Sequence, residues 1–430
     1  MKTETTFKKS PGVQFDCRRS AAGFLTNNMV TIMFLVLSFA GLYISGMNST
    51  LYVNDIIARI SRNSFLVLSL IIPVIAGMGL NFSIVLGAMA AQAAVIFVTH
   101  WGVGGFAGIL LCVVLATPVS ILLGYLTGLL FNRTKGSEMI TGLIMGFFFA
   151  GIYWFIFLQL VGGIIPMNNT VLVLSSGVGI RTTVDLTGGL KYGLDHLWQL
   201  PLTTVMIIAG VAGTVYQGYR FRKSGTDMFR YPRLIFGLGV MAALIIWALR
   251  IRAAGEMLSR LQVPIATWIT IGGLCVFITY FAKTKLGQDM RTVGQDRHVA
   301  AVSGIPVDRV RIIAIIMSMV LASWGHIIFL QNMGAFSTYG SHEQIGFYAV
   351  AAILIGGATV TRATIGQALL GVFLFHTLFI VAPATGRELF GDAQVGEYFR
   401  VFVVYGVIGV TLAMHAWKRQ LQSRPAAGKK

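Results

Sequence analysis

The sequence predicts an all-α polytopic membrane protein of about 10–12 transmembrane helices, some broken or re-entrant, with one short cytoplasmic helix. Three observations carry that expectation. Hydrophobic residues make up 56% of the 430 and charged residues only 11%, against about 25% charged in a soluble domain. Mean hydropathy is +0.77, and repeated apolar runs pass the roughly 18 residues that a bilayer-crossing helix needs. Most of the 33 lysines and arginines also gather on alternate connections, as a polytopic chain requires.

In order, the apolar runs predict spans at 24–46, 64–80, 82–99, 104–131, 139–160, 201–219, 234–251, 265–282, 311–331, 344–360, 364–383 and 400–417. The segments 64–99 and 344–383 carry glycine breaks suited to re-entrant pieces. Lys and Arg concentrate in 1–23, 132–138, 220–233, 283–311, at Arg362 and in 418–430. The positive-inside rule therefore places both termini in the cytoplasm. Residues 1–23 and 418–430 read as basic tails around a single transmembrane domain, 24–417. The net charge of +18 is then a topology signal with affinity for anionic membrane lipid, and nucleic acid is not an expected partner.

Chemistry-bearing clusters are scarce. Cys17, Cys112 and Cys275 form no CxxC, so no metal site is expected. Arg18 and Arg19 precede a run as long as a full span without an A-x-A site, which favours an uncleaved first helix over a secretion signal. The 15 acidic residues fall in tails, loops or span edges, Glu138 among them. Ion-coupled carriers place a carboxylate at membrane depth, and none is evident here. His326 and His376 lie within spans and are expected to bond a backbone carbonyl or face a wet cavity. No catalytic set emerges, and no G-x-x-x-x-G-K-[ST] is present, so no cofactor is expected in this chain.

The stretch "VGQDRHVAAVSGIPVDRV", Val293 to Val310, stands between two long apolar runs. Asp296 suits an N-cap, Arg297 to Ser303 allows two helical turns, Gly304 suits the left-handed closing position and Pro306 forbids continuation. Asp308 is expected to cap the next helix, starting at Arg309. Small Ala300 and Ala301 in a cytoplasmic helix too short to span are properties of a docking element. The alternative is a connector lying on the lipid surface.

This stretch resembles the cytoplasmic loop of permease subunits of ATP-binding-cassette importers, in the family serving simple sugars, nucleosides and branched-chain amino acids. Gly294, Ala300, Ala301, Ser303, Gly304, Ile305 and Arg309 carry the pattern. The resemblance extends over "GFYAVAAILIGGATVTRATIGQALLG", "GMGLNFSIVLGAMAAQAAVIFV" and "GSEMITGLIMGFFFAGIY", covering roughly 65–160 and 265–380. It implies that 284–310 couples to separate ATPase subunits, which hold ATP and Mg, with Gly294, Asp296, Arg297, Ala300, Ala301, Ser303, Gly304 and Ile305 as the docking residues. It also implies a second permease copy or paralogue and an extracytoplasmic solute-binding protein. Sugar-type members carry an aspartate where this chain has Asn81, and 161–264 has no clear counterpart.

Polar groups at the glycine breaks mark the expected pathway for a small sugar-like or nucleoside-like solute. Asn81, Ser83 and Gln92 form one set, and His326 with Gln331 a second; the competing reading is close helix packing with bonds across helices. An ion-coupled secondary carrier, a permease for branched-chain amino acids or another small metabolite, and an integral membrane enzyme are the alternative functions.

Overall fold

A computed structural model describes residues 28–169, 171–224, 232–392, 394–402, 405–406, 409–410 and 413. Helices dominate: α1 (Met29–Ile44), α2 (Ser49–Ser69), α3 (Ile71–Ile75), α4 (Ile84–His100), α5 (Gly105–Arg133), α6 (Glu138–Phe155), α7 (Leu202–Ser224), α8 (Pro232–Ala254), α9 (Ile265–Phe281), α10 (Lys285–Gln295), α11 (Arg297–Val302), α12 (Val307–Met333), α13 (Glu343–Ile355) and α14 (Ile365–Phe390). Among the described residues six helices are long and apolar enough to cross a membrane. The bent pair α9–α10 would be a seventh, and α1, α4 and α13 are shorter apolar helices. The expected span 400–417 lies largely outside the described residues, as do residues 225–231 of the basic loop 220–233.

Helix α12 is the axle of the bundle, packed against α5, α2 and α4. Glycines let these backbones close. A Cβ on Gly124 or Gly128 of α5 would meet the Cα of Ile316 or Ile312 at 2.8 and 3.0 Å, and one on Gly87 of α4 would meet the Met319 carbonyl oxygen at 2.5 Å. Small residues at four-residue spacing permit such contact where no hydrophobic force separates helix from lipid. The hairpin α7–α8 packs mainly on itself, with Gly210 and Gly213 against Ile245 and Met241.

The second span differs from expectation. It begins at Ser49, not at residue 64, and runs through α2 and α3 to Ile75. Asp55, Arg59, Arg62 and Asn63 dilute the hydropathy of its first half, yet their spacing keeps the apolar side of the helix continuous. Both expected breaks are present. The chain leaves helix between Ala76 and Ser83, with Gly77 and Gly79 at φ +71° and +74°, and again between Gly356 and Thr364, where a capping box of Thr364 and Gln367 opens α14.

Two short antiparallel pairs tie down the connections. Strand β1 (Thr183–Asp185) pairs with β4 (Ala335–Ser337), and β2 (Gln199–Pro201) with β3 (Gln262–Pro264). The first pins the 161–197 segment to the end of α12, and the second closes the base of the α7–α8 hairpin.

Candidate functional site: the coupling loop and its buried ion network

Helix α11 is built much as its residues dictate. The Asp296 carboxylate accepts hydrogen bonds from the backbone N–H groups of His298 at 2.8 Å and Val299 at 3.1 Å, satisfying donors that a helix start leaves orphaned. Those same bonds hold the Asp296 carboxyl below its ordinary pKa. At the other end Gly304 takes φ +81°, and the N–H groups of Gly304 and Ile305 donate to the carbonyls of Ala301 and Ala300. One expectation fails: Asp308 does not cap α12. That helix starts earlier, at Val307 after Pro306, so Asp308 already lies in the first turn and pairs with Lys135 at 2.9 Å.

Ala300 and Ala301 divide the two faces of this helix. Ala300 is fully buried against the bundle, whereas Ala301 is exposed beside Val299 and Val302, which are 54% and 77% exposed. Ser303 donates its hydroxyl to the Val299 carbonyl, and Ile305 packs partly against the core. Gly294 performs a separate task. A Cβ there would meet the Ile75 carbonyl oxygen at 2.2 Å, so α10 lies directly on the break after α3.

Beneath the loop lies an ion network that sequence reasoning missed. Glu138, at the start of α6, is buried; its Oε1 accepts from Arg297 Nη2 at 2.9 Å and from Arg311 Nη2 at 2.5 Å. Its Oε2 accepts from the Gly136 N–H. Arg297 also donates to the Gly77 carbonyl at 3.3 Å, and Arg311, fully buried, donates to the Phe131 carbonyl at 3.2 Å. Five segments thus meet in one network centred on Glu138: the break after α3, the end of α5, the start of α6, α11 and α12. The only sequence signal was a lone acid at a span edge flanked by basic loops.

The polar residues expected in the pathway occupy three places. Asn81 and Ser83 are buried together: the Asn81 side-chain oxygen accepts from the Ser83 backbone and hydroxyl, and its amide donates to Ser318 Oγ at 3.3 Å. Gln92 lies apart, its amide donating to the carbonyls of Ser337 and Thr338 at 2.8 and 3.0 Å and its oxygen meeting His342 Nδ1. His326 and Gln331 are buried on α12. Gln331 accepts from the Leu194 N–H, but no partner reaches either ring nitrogen of His326 among the described residues. Of the two surroundings expected for His326, the backbone bond is absent among the described residues, and its ring stacks on Phe329. His376 borders a cavity of about 200 Å³ between α2, α12, α13 and α14.

A larger cavity of about 780 Å³ lies between α5, α9 and α12. Its hydroxyls, Thr117 and Thr270, both donate to their own helix backbones. Its lining is otherwise almost wholly apolar, which suits a hydrophobic group better than a polar solute.

Comparison with known proteins places this arrangement. The family model described as branched-chain amino acid transport system, permease component, matches residues 194–411. The chain belongs to that family. It is 30% identical over 156 residues to the probable ABC transporter permease protein YphD of Escherichia coli (strain K12), covering 36% of this chain and 44% of that protein. It is 23% identical over 279 residues to the autoinducer 2 import system permease protein LsrC of Enterobacter sp. (strain 638), covering 61% of this chain and 77% of LsrC. To the nucleoside ABC transporter permease protein NupB of Lactococcus lactis subsp. cremoris (strain MG1363) it is 30% identical over 121 residues, 28% of this chain and 32% of NupB. The match thus spans less than half of YphD and NupB and most of LsrC. No solved structure matches the chain. The family match contains α7 through α14, so it takes in 194–264 of the segment for which the sequence suggested no counterpart, and it holds the loop 284–310 together with Arg297 and Arg311.

Proposed function

We propose that the chain is the transmembrane permease subunit of an ABC importer in a bacterial plasma membrane. It carries a small polar solute, sugar-like or nucleoside-like, handed over by an extracytoplasmic solute-binding protein. A separate ATPase holds the ATP and Mg; this chain has no nucleotide site of its own. The docking surface is the outward face of α11, through His298, Val299, Ala301 and Val302, and a second permease copy or paralogue completes the pathway. Both termini and the loop 284–310 face the cytoplasm.

The observation that carries this reading is the two-faced α11. An exposed apolar face on a six-residue helix, capped at both ends, is a poor lipid anchor and a good knob for a groove in another protein. Arg297 and Glu138 tie that knob to the break after α3 and to α12, so a displacement of α11 by the ATPase is felt in both. Two states of this tied unit, populated differently with and without ATP, would alternate the opening of the path. The pathway residues stay those of the breaks, Asn81, Ser83 and Gln92, with His326 and Gln331 on the central helix.

The test is reconstitution. Proteoliposomes holding the chain, its ATPase and a solute-binding protein should accumulate solute only with ATP inside the compartment of the ATPase, and collapse of the pH or sodium gradient should not matter. Uptake by the chain alone under an ion gradient would replace this reading with that of a secondary carrier.

A further inference from the structure

Glu343 opens helix α13 beside a cavity rich in aromatic rings. Glu343, Gly346 and Phe347 stand at i, i+3 and i+4 and so share one face of that helix. Gly346 marks its close approach to the start of α4: a Cβ there would meet Val85 Cγ2 at 2.7 Å and the Phe82 carbonyl oxygen at 3.6 Å. The missing side chain lets the acid and the ring flank that contact. From the third side α6 brings Gly146, Phe147 and Ala150. The three helices border a cavity of about 160 Å³, whose lining includes Glu343, Phe82, Phe147, Phe347 and Tyr405.

The lining has one sign of charge. Glu343 is half-buried, and among the described residues its side chain makes no ion pair and no hydrogen bond. The side-chain oxygen of Gln344, also in the lining, is taken by the Tyr348 hydroxyl at 2.9 Å. No lysine, arginine or histidine lines the cavity among the described residues. Phe82 and Phe347 have centroids 5.8 Å apart with planes at 56°, and Phe347 and Tyr405 lie 6.3 Å apart at 69°. Rings at such angles stand as the walls of a cup and not as a stack. A carboxylate among rings has lost part of its hydration, and a cation offsets that loss. The ring faces carry negative charge density and favour the same sign of ligand. An anion would be repelled by both groups, and a neutral molecule of the same shape would gain from neither charge.

We infer that this cavity binds a small organic cation, a quaternary or primary ammonium, with Glu343 as its counter-ion and the four rings around the charge. The site goes beyond the permease reading and does not depend on it, since binding is measured without transport. The ammonium can belong to a free metabolite or to the headgroup of phosphatidylethanolamine, and the two sources are separated by the choice of lipid.

The test places the full chain in phosphatidylglycerol nanodiscs, where no lipid carries an ammonium. The probes are choline with dimethylbutanol, its neutral isostere with carbon in place of nitrogen, and ethanolamine with propanol. In at least one pair the cation should raise the unfolding temperature saturably, while its neutral partner and sodium chloride of equal ionic strength do not. Glu343→Gln, which keeps the shape and removes the charge, should weaken that binding roughly tenfold, as loss of a charge-assisted contact does. Glu343→Asp keeps the charge, guards against a folding defect and should weaken it less. Phe347→Leu should weaken it by roughly a few-fold through loss of a ring face. When phosphatidylethanolamine is added to the nanodiscs, a response that persists assigns the site to a free cation, and one that is abolished assigns it to the lipid headgroup. No preference for the cation in either pair, or an undiminished response in Glu343→Gln, overturns the inference. Failure of ATP-driven uptake in the reconstituted complex would strike the permease reading instead, and the two results are read independently.

Discussion

Glu138 holds Arg311 at 2.5 Å and Arg297 at 2.9 Å through one oxygen, with Arg311 wholly buried. The pair joins residues 173 apart in the chain and fastens the start of α6 to the central helix. Removing the acid strands a buried guanidinium, a change that costs about 3–5 kcal/mol when a buried pair is broken from one side. Glu138→Ala should therefore lower the thermal midpoint and the amount of protein in the membrane. Glu138→Asp, which keeps the charge on a shorter stem, should lose less. Equal stability of Glu138→Ala and the native chain would show that water replaces the carboxylate.

Ala300 and Ala301 are neighbours with opposite fates. Ala301→Glu places a charge on the exposed face of α11, where stability should change by no more than about 0.5 kcal/mol, while a groove in the ATPase would have to desolvate it. Abundance should be normal, and co-purification of the ATPase and transport should fall. Ala300→Glu forces the same side chain into the bundle and should unfold the loop. If Ala301→Glu retains both partner and transport, α11 is a connector.

Gly294 predicts a steric effect. Its added Cβ would strike the Ile75 carbonyl oxygen, and overpacking of that kind costs about 1–3 kcal/mol. Gly294→Ala should thus lower the unfolding midpoint, and Gly273→Ala, where nothing stands within 4 Å, should leave it unchanged. Comparable midpoints for the two variants would contradict the close approach of α10 to the break.

The cap of α11 should respond to acid with a defined sign. The folded-state pKa of Asp296 lies below its ordinary value because the backbone bonds favour the carboxylate. Its contribution is complete above the unfolded-state pKa of about 3.9 and is lost as pH falls through the depressed value. Amide hydrogen exchange in 297–303 should accelerate below that pH in the native chain, but Asp296→Asn, which caps without titrating, should show no such step.

Orientation is tested from outside. In a chain cleared of Cys17, Cys112 and Cys275, cysteines placed at Ser224 and Gln295 should resist an impermeant thiol reagent in sealed cells and react after lysis. Prompt labelling in sealed cells would reverse the topology.

The loop was legible because its information is local: Asp296, Gly304 and Pro306 act within a turn or two of themselves. The helix breaks were legible for the same reason, since Gly77 and Gly79 carry their own backbone preference. What escaped was distant or diluted. Nothing near Glu138 in the sequence announces Arg311, which arrives only when α12 packs against α5 and α6. Arg59 and Arg62 were assigned to an outer loop because a hydropathy window averages around a helix, whereas burial follows one side of it. Asn81 and Ser83 were chosen for polarity, and the structure adds that they bond each other and Ser318.

Helix α12 begins at Val307, five residues after α11 ends at Val302, and ends at Met333, next to a left-handed Gly334 and strand β4. A 27-residue helix is a strut of about 40 Å, and this one has no proline along its length. An axial push on its Val307 end would therefore be delivered at its far tip almost undiminished. There it would reach β1 through the strand pairing and the Met333 sulfur that Arg62 bonds. On the proposed mechanism, α11 and the β1–β4 pair would move as the two ends of one lever, with no need of a chain of side-chain rearrangements between them.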